Sequence, residues 1–118
     1  MAKRILIVDD SGYIRNSLKA ILTAAGFFVV GEAKDGLEAI SKFKKLSPDI
    51  VAMDLVMPNM DGQQALRLIK SIDPSVIVVM VTSMNGIDKI VECRAAGASQ
   101  YIVKPFEAEK VINVFSKL

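Results

Sequence analysis

Five short runs rich in apolar residues, at 4–8, 28–32, 49–53, 76–81 and 99–103, alternate with longer stretches whose apolar positions recur at spacings of three and four. Near-continuous apolar runs suit strands covered on both faces, as in a parallel sheet. The spaced pattern predicts amphipathic helices between and after them. Ile14, Leu18, Ile21 and Leu22 mark the first, in 12–25. Leu37, Ile40 and Phe43 mark the second, with Lys44 at its polar margin. Ala65, Leu66 and Ile69 mark the third, Ile87, Ile90, Val91 and Arg94 the fourth, and Val111, Val114 and Phe115 the last. Asp10 or Ser11 is placed to cap the first helix and Gly26 to end it, with Gly97 stopping the fourth. Pro48 and Pro74 stand just ahead of strands, where a helix must already have stopped. Five strands alternating with five helices predict one α/β domain over residues 1–118, with right-handed crossovers.

The polar residues that follow these runs carry the chemistry. The first run ends in Asp9-Asp10, the third in Asp54, the fourth in Thr82-Ser83 and the fifth in Lys104-Pro105. Parallel strands bring their carboxyl ends to one edge, which is where open α/β sheets bind ligands. Three carboxylates gathered there would repel one another, so the cluster implies a bound cation.

Bulk properties narrow the classes of function. Over 118 residues, 52% hydrophobic and 24% charged residues describe a packed domain rather than a disordered chain. A net charge of +2, with scattered basic residues and one short cluster at Lys42, Lys44 and Lys45, argues against nucleic-acid binding. No apolar run approaches the ~20 residues needed to cross a bilayer. The start, Met-Ala-Lys-Arg followed at once by a strand pattern, does not read as a signal peptide. The single cysteine, Cys93, forbids an internal disulfide and reads as helix packing; a cytoplasmic location is expected. The absence of histidine removes every Ser-His and Cys-His arrangement. Met53, Met57, Met60, Met80 and Met84 read as core or loop packing. Asp61-Gly62 reads as a helix cap.

Four motifs in order, Val8-Asp9-Asp10, Met53-Asp54 followed by Met57-Pro58-Asn59-Met60-Asp61-Gly62, Val81-Thr82-Ser83 and Val103-Lys104-Pro105-Phe106, resemble a response-regulator receiver domain, most like its stand-alone chemotaxis members. The resemblance covers the whole chain. It implies a doubly wound (βα)5 flavodoxin-like fold whose five-stranded parallel sheet has the order 2-1-3-4-5. It implies Asp54 as phospho-acceptor and Mg2+ held by Asp10, Asp54 and the Val56 backbone carbonyl, with Asp9 acting through water. Lys104 and Thr82 would contact phosphoryl oxygens, and Pro105 would follow a cis peptide bond. Thr82 and Tyr101 would form the switch, altering a surface beside Lys89, Val103 and Lys110. A carboxylate is a competent nucleophile toward phosphorus, and phosphoryl transfer needs positioning and charge neutralisation more than a base.

The expected function is that of a phospho-accepting signalling module, not an enzyme beyond self-phosphorylation from small donors and autodephosphorylation. The chain is expected to be a monomer that takes phosphate from a histidine kinase and binds a downstream protein such as a flagellar motor switch. Alternatives are a phosphorelay intermediate serving a phosphotransfer protein, a receiver fragment of a DNA-binding regulator, and a magnesium-dependent aspartyl phosphatase. The last would need an acid–base Asp two residues after the nucleophile, and that position is Val56. Val56 and Met84 stand where chemotaxis relatives often carry polar residues, and Ser83 is small enough to leave the site open to a donor.

Overall fold

The structure, a computed structural model, describes residues 2–118. Its elements are β1 (Arg4–Val8), α1 (Gly12–Ala24), β2 (Phe28–Ala33), α2 (Gly36–Leu46), β3 (Ile50–Met53), α3 (Gly62–Ile72), β4 (Ile77–Thr82), α4 (Ile87–Ala95), β5 (Gln100–Val103) and α5 (Ala108–Phe115). The strands form one parallel sheet in the order β2-β1-β3-β4-β5, as the resemblance implied.

Alternate strand residues feed two cores. Leu6, Val8, Val51, Met53, Val78 and Met80 pack on one face with Phe43 of α2 and Leu66 and Ile69 of α3. Ile5, Ile7, Ile50, Ala52, Val79 and Val81 pack on the other with Leu18 and Leu22 of α1 and Val111 and Phe115 of α5. Helical cover on both faces explains why the central strands are apolar throughout, apart from Arg4 and Thr82 at their ends. The edge strands depart from that expectation. Within β2 only Ala33 is fully buried, and within β5 only Ile102, because each has a sheet neighbour on one side alone.

Helix ends follow the local chemistry. Ser11, not Asp10, caps α1, its Oγ accepting from the Ile14 N–H at 3.3 Å. Asp35 and Asp61 cap α2 and α3 in the same way, accepting from the N–H groups of Glu38 and Gln64. Gly26 and Gly97, at φ of +93° and +112°, end α1 and α4. In each case the residue after the glycine reaches back, Phe27 N–H to the Leu22 carbonyl and Ala98 N–H to that of Cys93.

Two expected faces are misplaced. Leu37 is exposed, since α2 docks through Gly36, Ala39 and Phe43. On α4, Ile87 and Val91 point to solvent, and the helix packs through Cys93 and Ala96, with Ile90 half-buried. A small docking face let the larger side chains turn outward. Cys93 is indeed packing, and burial pushes its thiol up from the ordinary range.

Candidate functional site

Strand register assembles the site. Val8, Met53 and Met80 lie side by side across β1, β3 and β4, so Asp9 and Asp54 emerge at one edge. Thr82 pairs with Val103 across β4 and β5, which brings Lys104 to the same edge. Backbone bonds tie these exits together: Asp54 N–H donates to the Val8 carbonyl at 3.0 Å, and Lys104 N–H to the Thr82 carbonyl at 2.8 Å. The Lys104–Pro105 peptide is cis.

The Lys104 ammonium bridges two buried carboxylates. Its Nζ lies 2.6 Å from Asp9 Oδ2 and 3.1 Å from Asp54 Oδ2. The remaining Asp9 oxygen accepts from the Ser11 N–H at 2.9 Å, and Asp54 Oδ1 accepts from the Leu55 N–H at 2.7 Å and more distantly from that of Val56. Burial pushes the Asp9 carboxyl up, against the pull of Lys104 and the Ser11 N–H. Burial also acts against the Lys104 charge, but the hydrogen bond to Asp9 and the charges of Asp54 and Asp9 outweigh it and hold this amine above the usual lysine range.

Asp10 is exposed beside this pair. Carboxylate oxygens of Asp9, Asp10 and Asp54 all lie within 4.8 Å of one another, an all-oxygen donor set of the kind hard divalent cations take. A single lysine against three carboxylates leaves the cluster negative, so the donor chemistry fits Mg2+.

Thr82 is fully buried, and its Oγ1 accepts a long bond of 3.4 Å from the Met84 N–H. Tyr101 is half-buried and donates its hydroxyl to the Met84 carbonyl at 2.6 Å. Thr82 and Tyr101 therefore hold the same residue from its two polar ends. Val56 is 59% exposed and lines, with Leu55, Met57, Met84 and Lys89, a depression of about 210 Å³ beside Asp54. Met53 and Met80 are core, Met57 and Met60 pack against it, and Met84 is partly exposed. Lys89 bonds Gln63 on α3 and Glu92, so its amine faces α3 rather than the surface of Val103 and Lys110.

Several residues shape the site in ways the sequence pattern does not mark. Arg15 donates to the Asp9 carbonyl and pairs with Glu32 at 3.0 Å. Gly62 does more than begin a helix: a Cβ there would stand 1.9 Å from the Asp54 carbonyl oxygen, and its N–H bonds the Leu55 carbonyl at 2.8 Å. Asp35 is buried and accepts from the Asn59 amide at 2.8 Å. The Asp-Gly pairs at 35–36 and 61–62 were the available signal, since both open helices beside this edge.

The fold and this edge define a class, and residues 5–116 match the family model described as the response regulator receiver domain, so the chain belongs to that family. Within it the similarity runs to chemotaxis proteins. The chain is 44% identical over 118 residues to the chemotaxis protein CheY of Thermotoga maritima, covering 100% of this chain and 98% of that protein. It is 45% identical over 117 residues to CheY of Bacillus subtilis, covering 99% and 98%. Among solved structures it resembles the CheX-CheY-BeF3-Mg+2 complex from Borrelia burgdorferi, with a TM-score of 0.94, 36% identity and coverage of 98% of this chain and 88% of that one. None of the helices in residues 2–118 is long and apolar enough to cross a membrane.

Proposed function

We propose that this chain is a chemotaxis response regulator that accepts a phosphoryl group on Asp54 from a partner histidine kinase and thereby resets a protein-binding face. The observation that carries the reading is the shared grip of Lys104 on Asp9 and Asp54 at the carboxyl edge of the sheet. Kinship with CheY proteins favours chemotaxis as the setting. A metal-dependent aspartyl phosphatase is disfavoured because Val56, two residues past Asp54, has no ionisable group.

In this reading Asp10, Asp54 and the Val56 carbonyl hold Mg2+, and Asp9 acts through water. The ion supplies charge neutralisation for the phosphoryl oxygens. The chain's own residues do the rest. An Asp54 carboxylate oxygen attacks phosphorus as the bond to the donor nitrogen breaks, giving an acyl phosphate. Lys104 exchanges Asp54 for a phosphoryl oxygen while keeping Asp9. The Thr82 hydroxyl donates to another phosphoryl oxygen, a charge-assisted bond worth about 1.5–3 kcal/mol. Any movement of that hydroxyl pulls on Met84, whose carbonyl anchors Tyr101. The ring's position then alters the surface near Val103 and Lys110, a two-state element biased by one modification.

Magnesium gives the direct test. A ligand bound by the folded state alone raises stability by mass action, and relief of carboxylate repulsion adds to it. Millimolar magnesium should raise the Tm of the wild type, and Asp10→Asn should blunt that rise. An unchanged wild-type Tm would mean that the acidic cluster holds no metal. A second measurement addresses the switch. Thr82→Ala should still accept phosphate, yet lose most of the gain in affinity for a downstream partner that beryllofluoride confers on the wild type. Equal gains in both proteins would route the switch through other residues.

A further inference from the structure

The loop between β3 and α3 is fastened at two places. At its neck, Gly62 N–H bonds the Leu55 carbonyl at 2.8 Å, and the absence of a side chain lets α3 begin against the Asp54 backbone. At its tip, the chain turns through Asn59 at φ +68°, and the Asn59 amide donates to Asp35 Oδ2 at 2.8 Å. The next residue, Met60, accepts the Gly36 N–H at 3.2 Å, and a Cβ on Gly36 would meet that carbonyl oxygen at 2.5 Å. Asp35 is itself immobilised. It is buried, and its other oxygen caps α2 through the Glu38 N–H at 2.8 Å. That N–H first, and then the Asn59 amide, hold the Asp35 carboxyl below the usual carboxylate range.

None of these tip residues reaches the acidic cluster, yet the loop they fasten begins at Asp54 and contains Val56. We infer that Asp35 and Asn59 are positioning residues for the metal site: their hydrogen bond clamps the tip of the loop to the start of α2 and so holds the Val56 carbonyl in place. This rests on the reading above, in which that carbonyl is a metal ligand. A backbone ligand has no rotamer of its own, so its aim is set entirely by the loop. Groups that orient ligands from outside the coordination sphere commonly set metal affinity by about 10–100-fold. Asn suits the position doubly, because it tolerates positive φ and supplies the donor.

The test measures magnesium binding to the metal-free protein by titration calorimetry, with no phosphate donor present. Asn59→Gly keeps the positive φ without strain and removes the amide with the rest of the side chain. It should weaken magnesium binding about tenfold. Asn59→Asp sets two carboxylates against each other and should weaken it further. The deciding variant is the exchange Asp35→Asn with Asn59→Asp. It keeps a side-chain oxygen for the α2 cap, leaves net charge unchanged and restores the bond with donor and acceptor reversed. It should recover affinity to within about threefold of the wild type, given that the orienting bond rather than either side chain is what matters. A generally weakened fold would not show that recovery. Wild-type affinity in Asn59→Gly, or no recovery in the exchange, would overturn the inference while leaving the metal site itself intact. No binding by the wild type would overturn the site reading and this inference together.

Discussion

Asp54→Asn should abolish incorporation of phosphate from acetyl phosphate and magnesium. The carboxylate is the proposed nucleophile, and an amide oxygen at the same place is a far weaker one with no negative charge to deliver. Asn keeps the volume, and its oxygen still accepts from the Leu55 N–H, which in the wild type lies 2.7 Å from Asp54 Oδ1. The fold should therefore survive, and circular dichroism of the variant should match the wild type. Intact-mass spectrometry decides the matter. The wild type should gain one phosphate that is labile to base and to hydroxylamine, as an acyl phosphate is, and Asp54→Asn should gain none. Label that persists at the wild-type level, or that maps to Thr82 or Ser83, would place the chemistry elsewhere.

That so specific an expectation can be framed reflects how the sheet is built. Asp9, Asp54, Thr82 and Lys104 were legible because each ends or follows an apolar run, and parallel strands in register bring such residues to one edge. The two cores were legible for the same reason, since strand residues covered on both faces admit little but aliphatic side chains. What escaped depends on contacts between distant segments. Nothing in the local pattern marks Asn59 as the partner of Asp35, 24 residues earlier. Nor does it mark Arg15 as the support of the Asp9 carbonyl, because an arginine on an amphipathic helix ordinarily reads as a solvated charge. On α4 the spacing of Ile87, Ile90 and Val91 predicts a face that the structure largely turns to solvent. Small Cys93 and Ala96 dock that helix closely, and Ile87 at 77% exposure is left outside. The strand order came from resemblance, since alternation of strands and helices permits several orders.

Gly62→Ala should be the most damaging single methyl in this region, in stability and in chemistry together. The added Cβ would stand 1.9 Å from the Asp54 carbonyl oxygen, 2.8 Å from its carbon and 2.9 Å from the Leu55 Cα. All three are backbone atoms, so no side chain can swing aside to make room. Either α3 retreats, breaking the Gly62 N–H bond to the Leu55 carbonyl, or the end of β3 is displaced. Overpacking of this kind costs about 1–3 kcal/mol and occasionally more, and a contact with rigid backbone belongs at the upper end. For a domain of this size about 3 kcal/mol lowers the Tm by roughly 10 °C. The same shift moves Asp54 relative to Lys104 and Asp9, and misplacing a reacting group by about 1 Å can cost roughly 10²-fold in rate. Gly26→Ala is the control. Its φ of +93° disfavours a side chain, at about 1–2 kcal/mol, but the new methyl meets open space far along the chain from Asp54. Thermal melts should therefore show both variants destabilised, Gly62→Ala the more, while the rate of phosphorylation by acetyl phosphate at a temperature where both are folded falls for Gly62→Ala alone. A Gly62→Ala protein that melts and reacts like the wild type would mean that α3 does not press on the Asp54 backbone as this geometry requires.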